Sequence, residues 1–242
     1  AKAKVAIIID DMGMAKKYTQ DVIDLPGPMT LAFLPYASGL DAFSKDAKEK
    51  GHELIIHVPM EPLKSTLDLG PAGLTVDLDK EEFLRRLNDD IFTSFDGYVG
   101  INNHMGSRLT QDEKAMHWLM PLLKEKGLYF VDSKTISTSV AAKTAHVYGV
   151  DYAERDVFLD HKENLSFVMN ALEKTERLAH EKGFAIAIGH PKKNTIEGLK
   201  RWMIGMEERG LELVAASDVL TRFESNQDHK VAEVMQEITP SA

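Results

Sequence analysis

Two adjacent carboxylates, Asp10 and Asp11, directly follow the apolar run KVAIII at residues 4–9. The run is short and rich in β-branched residues, which predicts a buried β-strand of the kind found in parallel sheets. Like charges side by side at the end of a buried strand are costly unless a cation or a donor lies against them. A single aspartate in this position often only caps a helix or forms a turn, but the pair indicates a reactive or metal-binding centre.

Other chemistry-bearing residues also stand at or near the ends of predicted strands. They are His57 in ELIIHVP, Asn102, Asn103 and His104 after YVGI, Asp132 and Ser133 after LYFV, Asp160 and His161 after VFL, and His190 after FAIAIG. In a parallel α/β fold the carboxyl ends of the strands share one edge, and active sites are built there. We therefore expect these side chains to converge, with core packing as the alternative for His57.

Histidine nitrogens and carboxylate oxygens together suit Zn²⁺ and other first-row divalent ions. A catalytic site of this kind uses about three protein ligands and leaves one position open for water, whose pKa the metal lowers. The six histidines apart from 57, 104 and 190 fall mostly on predicted helices or loops, and we expect most of them at the surface.

The elements that must position these residues alternate along the chain. Strands are predicted over 4–9, 29–34, 53–58, 98–101, 128–131, 157–159, 184–188 and 211–215. Helices are predicted over 15–25, 39–50, 79–95, 110–126, 139–148, 165–182 and 195–209. Asp79 is the predicted N-cap of the third helix, and TQDE at 110–113 the capping box of the fourth. This alternation is typical of an α/β protein with a parallel sheet, open or closed into a barrel.

Length and composition favour one domain over residues 1–224, with an irregular excursion at 64–78 and a polar tail at 225–242. The net charge of -9 argues against general nucleic-acid binding and against binding to anionic membranes. The absence of cysteine excludes disulfides and thiolate ligands. No run approaches the ~20 apolar residues of a membrane helix, and no signal peptide is visible in this chain. The sequence does not indicate an oligomeric state.

Five motifs, in order along the chain, resemble those of the divergent polysaccharide deacetylase family, a branch of the NodB-type carbohydrate esterases. They are IIIDDMG at 7–13, GHELIIHVPMEP at 51–62, GINNHMGSRLT at 100–110, FVDS at 130–133 and AIGHP at 187–191. The resemblance covers roughly residues 4–223. It implies an α/β fold, a distorted and incomplete (β/α) barrel of the NodB deacetylase type.

The resemblance also implies a metal site on Asp11, His57 and His104, holding a divalent ion for which zinc is favoured. In the main family the second motif supplies two histidine ligands, whereas here Glu61 stands where the second histidine would be. By the resemblance, the segment NNHMGS would supply the missing ligand through His104. The residues assigned to substrate binding are Glu61, Asn103 and Arg108.

The same resemblance implies proton-transfer roles. Asp10 would act as the general base and His190 as the general acid. Asp132 would orient His190 or contact the substrate. A carboxylate accepts a proton and an imidazolium donates one, so the two groups supply opposite functions.

The activity implied is the hydrolytic removal of acetyl groups, bound as amide or ester, from a polysaccharide in the periplasm or at the cell surface. Two alternatives remain open from the residues. One is a metal-dependent phosphoesterase or amidohydrolase, since adjacent aspartates also serve Mg²⁺ chemistry, although a histidine-rich set favours Zn²⁺. The other is a catalytically degenerate protein that binds cell-wall glycan or a partner, which the Glu61 departure favours and the presence of Asp10 and His190 opposes.

Overall fold

Parallel strands and the helices between them make up the part of the chain that the computed structural model describes, residues 1–64 and 68–223. The strands are β1 (Ala3–Met12), β2 (Thr30–Phe33), β3 (Glu53–Met60), β4 (Tyr98–Met105), β5 (Tyr129–Asp132), β6 (Tyr152–Glu154), β7 (Val157–Phe158), β8 (Phe184–Gly189) and β9 (Leu211–Val214). The helices are α1 (Lys16–Ile23), α2 (Leu40–Glu49), α3 (Lys80–Arg85), α4 (Glu113–Lys126), α5 (Ala141–Tyr148), α6 (Leu165–Lys182) and α7 (Lys193–Met203). The predicted tail at 225–242 lies outside the described residues.

The strands form one parallel sheet in the order β6-β5-β4-β3-β2-β1-β8-β7. The first residues of β1 pair with β9 and its end pairs with β2, both on the side away from β8. The sheet therefore curls around, and the predicted distorted, incomplete (β/α) barrel is confirmed.

The two ends of the sheet are linked by one extended run, residues 152–158, which contains β6 and β7. The backbone N–H of Arg155 donates to the carbonyl of Asp132 on β5, whereas the N–H of Asp156 donates to Ile186 on β8. The run thus bonds to β5 in its first half and to β8 in its second half. It completes the wall of the barrel without pairing along its whole length to either neighbour.

Side-chain alternation along the strands divides the core into two layers. Ala6, Ile8, Ile55, Val131 and Ile188 belong to a cluster made of strand residues and the segment after β9, which fills the barrel interior. The alternate strand residues pack against the helices in a larger outer layer. Because successive side chains of a strand point to opposite faces, this division determines which residues can reach the mouth of the barrel.

Several strands extend further than predicted, so the site lies on the sheet itself. β1 continues to Met12, β3 to Met60 and β4 to Met105, and the short strand β6 was missed in the prediction. Helix 79–95 is instead α-helix over Lys80–Arg85 followed by a π-helix over Arg86–Ile91, and helix 195–209 is instead α7.

The helix caps were predicted in part. Asp79 accepts a hydrogen bond from the backbone N–H of Glu82, as expected. The predicted capping box at 110–113 is wrong: the N-cap of α4 is Asp112, and the hydroxyl of Thr110 donates to the carbonyl of Gly106. Of the described helices, none is long and apolar enough to cross a membrane.

Candidate active site

Three side chains from three strands meet at the carboxyl end of the barrel. Oδ1 of Asp11 lies 3.2 Å from Nε2 of His57 and 3.2 Å from Nδ1 of His104. The two imidazole nitrogens lie 3.0 Å apart. The structure therefore brings together the three predicted metal ligands, with one donor atom of each facing a common point.

The backbone explains why Asp11 reaches this point. Asp10 continues the inward set of β1, after Ala6 and Ile8, so Asp11 would ordinarily point outward to the helices. Its φ of 55° instead lies in the left-handed region, which is uncommon for a residue other than glycine but tolerated by aspartate. Both neighbouring carboxylates can therefore serve the barrel mouth.

The triad fits a first-row divalent cation by its donor atoms and spacing. Ligands at ~2.0–2.2 Å from a tetrahedral ion are separated by roughly 3.3–3.5 Å, close to the observed 3.0–3.2 Å. Oδ1 of Asp11 is buried without a hydrogen-bond partner, as expected of an atom kept for a cation. Two nitrogens and one carboxylate oxygen suit Zn²⁺ better than Mg²⁺.

The charges of the triad are coupled. Burial alone would raise the pKa of the Asp11 carboxyl, but the imidazoles of His104 and His57 outweigh it and hold the pKa well below its usual range. Asp11 is therefore an anion near neutral pH. An anionic oxygen next to two imidazoles is the protonation state that a cation requires.

Asp10 lies deeper than Asp11, with only 3% of its surface exposed. Its Oδ1 accepts a hydrogen bond of 2.7 Å from the amide nitrogen of Asn102 and lies 3.6 Å from Nδ1 of His57. Burial raises the pKa of the Asp10 carboxyl in spite of the nearby imidazoles of His57 and His190. A carboxylate with a raised pKa holds an abstracted proton more readily than an exposed one.

His190 is held by a buried carboxylate. Its Nδ1–H donates to Oδ1 of Asp160 at 2.8 Å, and its backbone N–H donates to Oδ2 at 2.6 Å. The hydroxyl of Thr195 donates to the same Oδ2 at 2.7 Å. These bonds direct Nε2 of His190 towards the triad, where it lies 3.9 Å from Oδ2 of Asp11. Burial lowers the pKa of His190, but Asp160 and the other carboxylates outweigh it and raise the pKa to about 9.

The carboxylate that contacts His190 is thus Asp160, and the expectation that Asp132 could orient this histidine is wrong. Phe130 packs in the outer layer, so Asp132, two residues later, shares its outward face. The Oδ1 of Asp132 accepts from the backbone N–H of Lys134, and its Oδ2 is buried without a partner. Phe158, by contrast, packs against the interior cluster, which puts Asp160 on the inward face.

The three predicted substrate-binding residues lie beside the triad strands. Asn103 is buried on the outward face: its Oδ1 accepts from the backbone N–H of Ser133 and its amide nitrogen donates to the carbonyl of Met105. Oε1 of Glu61 lies 3.8 Å from Nε of Arg108, and Oε2 of Glu61 is buried without a partner. Their substrate-binding role stays a prediction.

Asn102, Asp160 and Thr195 are site residues to which no role was assigned from the sequence. Asn102 and Asp160 were among the polar residues noted after predicted strands. The alternation of side chains along a strand could have placed these two on the inward face and Asn103 and Asp132 on the outward face. Thr195 carried no signal, because it lies in the first turn of α7 and its bond to the site is made to Asp160.

Cavities flank His190 on both sides. One of about 340 Å³ includes Asp10, His57, His104 and Phe158. Another, of about 460 Å³, includes Asp11, Tyr18 and Lys193, and Asp160, His190 and Lys192 line both. A third, of about 380 Å³, shares Tyr18, Lys193 and Asn194 with the second and runs along α1 and α7. The mouth of the barrel is therefore one part of a longer depression.

Comparison with known proteins gives the same assignment as the motifs. Residues 7–220 match the family model described as divergent polysaccharide deacetylase. An uncharacterized protein of Haemophilus influenzae is 36% identical over 208 residues, which is 86% of this chain and 74% of that protein.

Two solved structures show the same fold. An uncharacterized protein of Agrobacterium tumefaciens superposes with a TM-score of 0.87 at 26% identity, over 90% of this chain and 89% of that one. A CE4 family pseudoenzyme of Bacillus anthracis has a TM-score of 0.55 at 13% identity, over 90% of this chain and 67% of that one, a likeness of fold alone. By its family model and its relatives, the chain belongs to the divergent polysaccharide deacetylase family.

Proposed function

We propose that the protein is a metal-dependent hydrolase that removes acetyl groups, bound as amide or ester, from a polysaccharide. The observation that carries the proposal is the arrangement around the triad. Asp10 and His190, a proton acceptor and a proton donor, both adjoin the set of Asp11, His57 and His104 at the barrel mouth.

Asp11, His57 and His104 would hold the cation, with zinc as the ion that their chemistry favours. A bound zinc ion lowers the pKa of water and polarises a carbonyl oxygen, which are the two requirements of acyl hydrolysis. Asp10 would accept the proton of the attacking water, since it is buried, adjoins the triad and keeps a raised pKa.

His190 would donate a proton from Nε2 to the leaving amine or alcohol. Its Nδ1–H is already committed to Asp160, so Nε2 is the nitrogen that can exchange a proton with a substrate. The pKa of about 9 keeps the ring protonated near neutral pH. Asp160 fixes the ring and stabilises its charge, and Thr195 fixes Asp160.

A polymeric substrate is supported by the depression that continues away from the triad. Two cavities meet at His190, and the larger of them shares Tyr18 and Lys193 with a third, so there is room on both sides of the reacting position. Such a substrate also suggests a periplasmic or cell-surface location. Glu61, Asn103 and Arg108 would belong to its binding site.

The decisive variant is Asp10→Asn, tested on zinc-loaded protein with an acetylated glycan. We expect acetate release to fall by ~10²–10⁴-fold, the usual contribution of a general base, while the zinc content is unchanged. Asp112→Asn is the matched control, because it makes the same chemical change at the N-cap of α4. Full activity of Asp10→Asn would refute the assignment, and loss of zinc would make Asp10 a ligand instead.

A second candidate function, glycan binding without turnover, is favoured by Glu61, which stands where the main family has a second histidine ligand. The Bacillus anthracis pseudoenzyme shows that this fold also occurs without activity. Zinc-loaded wild-type protein that binds acetylated glycan but releases no acetate would favour this candidate over hydrolysis.

A further inference from the structure

Asn102 lies between the proposed base and one of the proposed metal ligands. Its Oδ1 accepts the Nδ1–H of His57 at 2.6 Å, and its amide nitrogen donates to Oδ1 of Asp10 at 2.7 Å. The side chain is fully buried, and Asn102 is the register partner of His57 on the neighbouring strand. Both the oxygen and the nitrogen of this buried amide therefore make hydrogen bonds within the candidate site.

The direction of these two bonds is dictated by chemistry. An ionised carboxylate only accepts hydrogen bonds, so the amide nitrogen must face Asp10 and the amide oxygen must face His57. The oxygen can only accept, which requires the proton of His57 to be on Nδ1. The lone pair of His57 is then on Nε2, which faces Asp11 and His104.

The same amide also keeps the base and the ligand apart. Nδ1 of His57 lies 3.6 Å from Oδ1 of Asp10, so a small movement would pair them directly. In such a pair the Nδ1–H of His57 would donate directly to Asp10, and that carboxylate oxygen would be less available to a water molecule. Because Asn102 bonds to both groups, it satisfies each without joining them.

We propose that Asn102 is a positioning residue that fixes the tautomer of His57 for metal binding and simultaneously holds Asp10 apart from that histidine as a free base. This inference rests on the proposed function for the role of Asp10. The part that concerns His57 can be tested by zinc affinity alone. Residues that hydrogen-bond to a ligating histidine typically change metal affinity by ~10–100-fold when they are removed.

Two substitutions separate the two ends of the amide. Asn102→Leu removes both bonds in a similar volume, and we expect zinc affinity, measured by chelator competition, to fall by ~10–100-fold together with activity. Asn102→Asp keeps an oxygen that accepts from His57 but faces Asp10 with a second carboxylate. We expect it to retain zinc affinity within a few-fold while acetate release falls by ~10²-fold or more.

A spectroscopic measurement reports the tautomer directly. In zinc-loaded wild-type protein, ¹⁵N NMR of the imidazoles should show a slowly exchanging Nδ1–H on His57, which persists in Asn102→Asp and is lost or exposed to exchange in Asn102→Leu. Thr30→Val is the control. Thr30 begins β2, and the substitution removes its buried hydrogen bond from the N–H of Ala216 without touching the site. It should lose stability but keep zinc affinity and the His57 signal.

The outcomes distinguish the proposals. Unchanged zinc affinity and an unchanged Nδ1–H in Asn102→Leu would overturn the inference, and so would an Asn102→Asp variant as active as wild type. If the wild type binds zinc but releases no acetate, the proposed function fails, while the NMR and affinity results still decide whether Asn102 positions His57. If Asn102→Leu does not fold, Asn102→Asp gives the decision.

Discussion

Asp10 and Asp11 are chain neighbours with different surroundings, and that difference decides their chemistry. The left-handed φ of Asp11 turns its side chain into the triad, while Asp10 stays on the inward face of β1. The pair itself was predictable as a reactive centre from two carboxylates after an apolar strand. The turn between them was not, because no sequence pattern distinguishes an aspartate at a φ of 55° from an extended one.

We expect Asp11→Asn to weaken zinc binding and Asp10→Asn to impair only proton transfer. An amide at residue 11 loses the anionic oxygen that neutralises the cation, so zinc affinity should fall by at least the ~10–100-fold that loss of an outer-shell partner costs. Competition titration of both variants against a chromogenic chelator checks this. Equal zinc affinities for the two variants would mean that the division of roles between the neighbours is wrong.

The pH dependence of activity should report His190. Its pKa of about 9 lies above its ordinary value, so the ring is protonated below pH 9 and loses its proton as the pH rises through that value. Activity should therefore fall on the alkaline side near pH 9. In Asp160→Asn the main partner that raises the pKa is neutral, and the alkaline limb should move to lower pH with a loss of ~10²-fold or more in kcat.

The control for this profile is Asp156→Asn, whose carboxylate accepts from Ile186 in the wall of the barrel. It should leave the alkaline limb in place. A limb that stays near pH 9 in Asp160→Asn would show that another group is responsible.

The partner of His190 is Asp160 and not Asp132, which shows what sequence reasoning lacked, namely the alternation of side chains along two short strands.

At the level of secondary structure, His52, the residue before β3, ties this strand to the end of α1 and the residue before β2. We expected most histidines outside the candidate site at the surface, but His52 is buried. Its Nδ1 accepts from the backbone N–H of Met29, and its Nε2–H donates to the carbonyl of Ile23 at the end of α1. Of the described histidines outside the site, His146, His161 and His180 are exposed as expected. His52 is the exception, because a histidine between two elements carries no apolar periodicity.

His52 should make the fold sensitive to acid. Burial lowers the pKa of this ring, so the folded state prefers the neutral form. Its contribution to stability is complete above the unfolded pKa of ~6.5 and is lost progressively as the pH falls below that value. We expect His52→Ala to lower the free energy of unfolding by ~2–4 kcal/mol at pH 8, measured by urea denaturation.

The difference between wild type and His52→Ala should shrink at pH 5, because the wild type then bears the cost of charging His52. A difference that is constant from pH 8 to pH 5 would contradict a buried neutral histidine. His180→Ala on the exposed side of α6 is a control that should change stability little at either pH.

For the whole molecule, the order and type of the elements were largely predictable, because strands and helices alternate with clear breaks between them. The barrel was implied by the family resemblance rather than by periodicity. The short strand β6 escaped prediction, since three residues carry too little pattern to be recognised. The ends of the strands were not predicted either, because polar site residues interrupt the apolar pattern while the backbone continues to pair.

The long depression predicts a preference for polymers. Tyr18 lines both cavities on the α1 and α7 side of His190. We expect Tyr18→Ala to raise KM for an acetylated polysaccharide by about 3–10-fold, the effect of losing one aromatic contact of ~0.5–1.5 kcal/mol. KM for an acetylated disaccharide should change less than twofold, and Tyr18→Phe should behave as wild type on both. An equal effect on both substrates would place the polymer elsewhere.

The run at 152–158 is the part of the barrel wall where we expect local opening. Its amides are shared between β5 and β8, so few bonds need to break for this stretch to separate from either neighbour. In native-state hydrogen exchange we expect these amides to exchange at lower opening free energies than those of β1. Asp160 lies two residues after the run, so we expect such an opening to loosen the bond between Asp160 and His190. The rate of this opening would then limit how long Nε2 of His190 stays aligned with the triad.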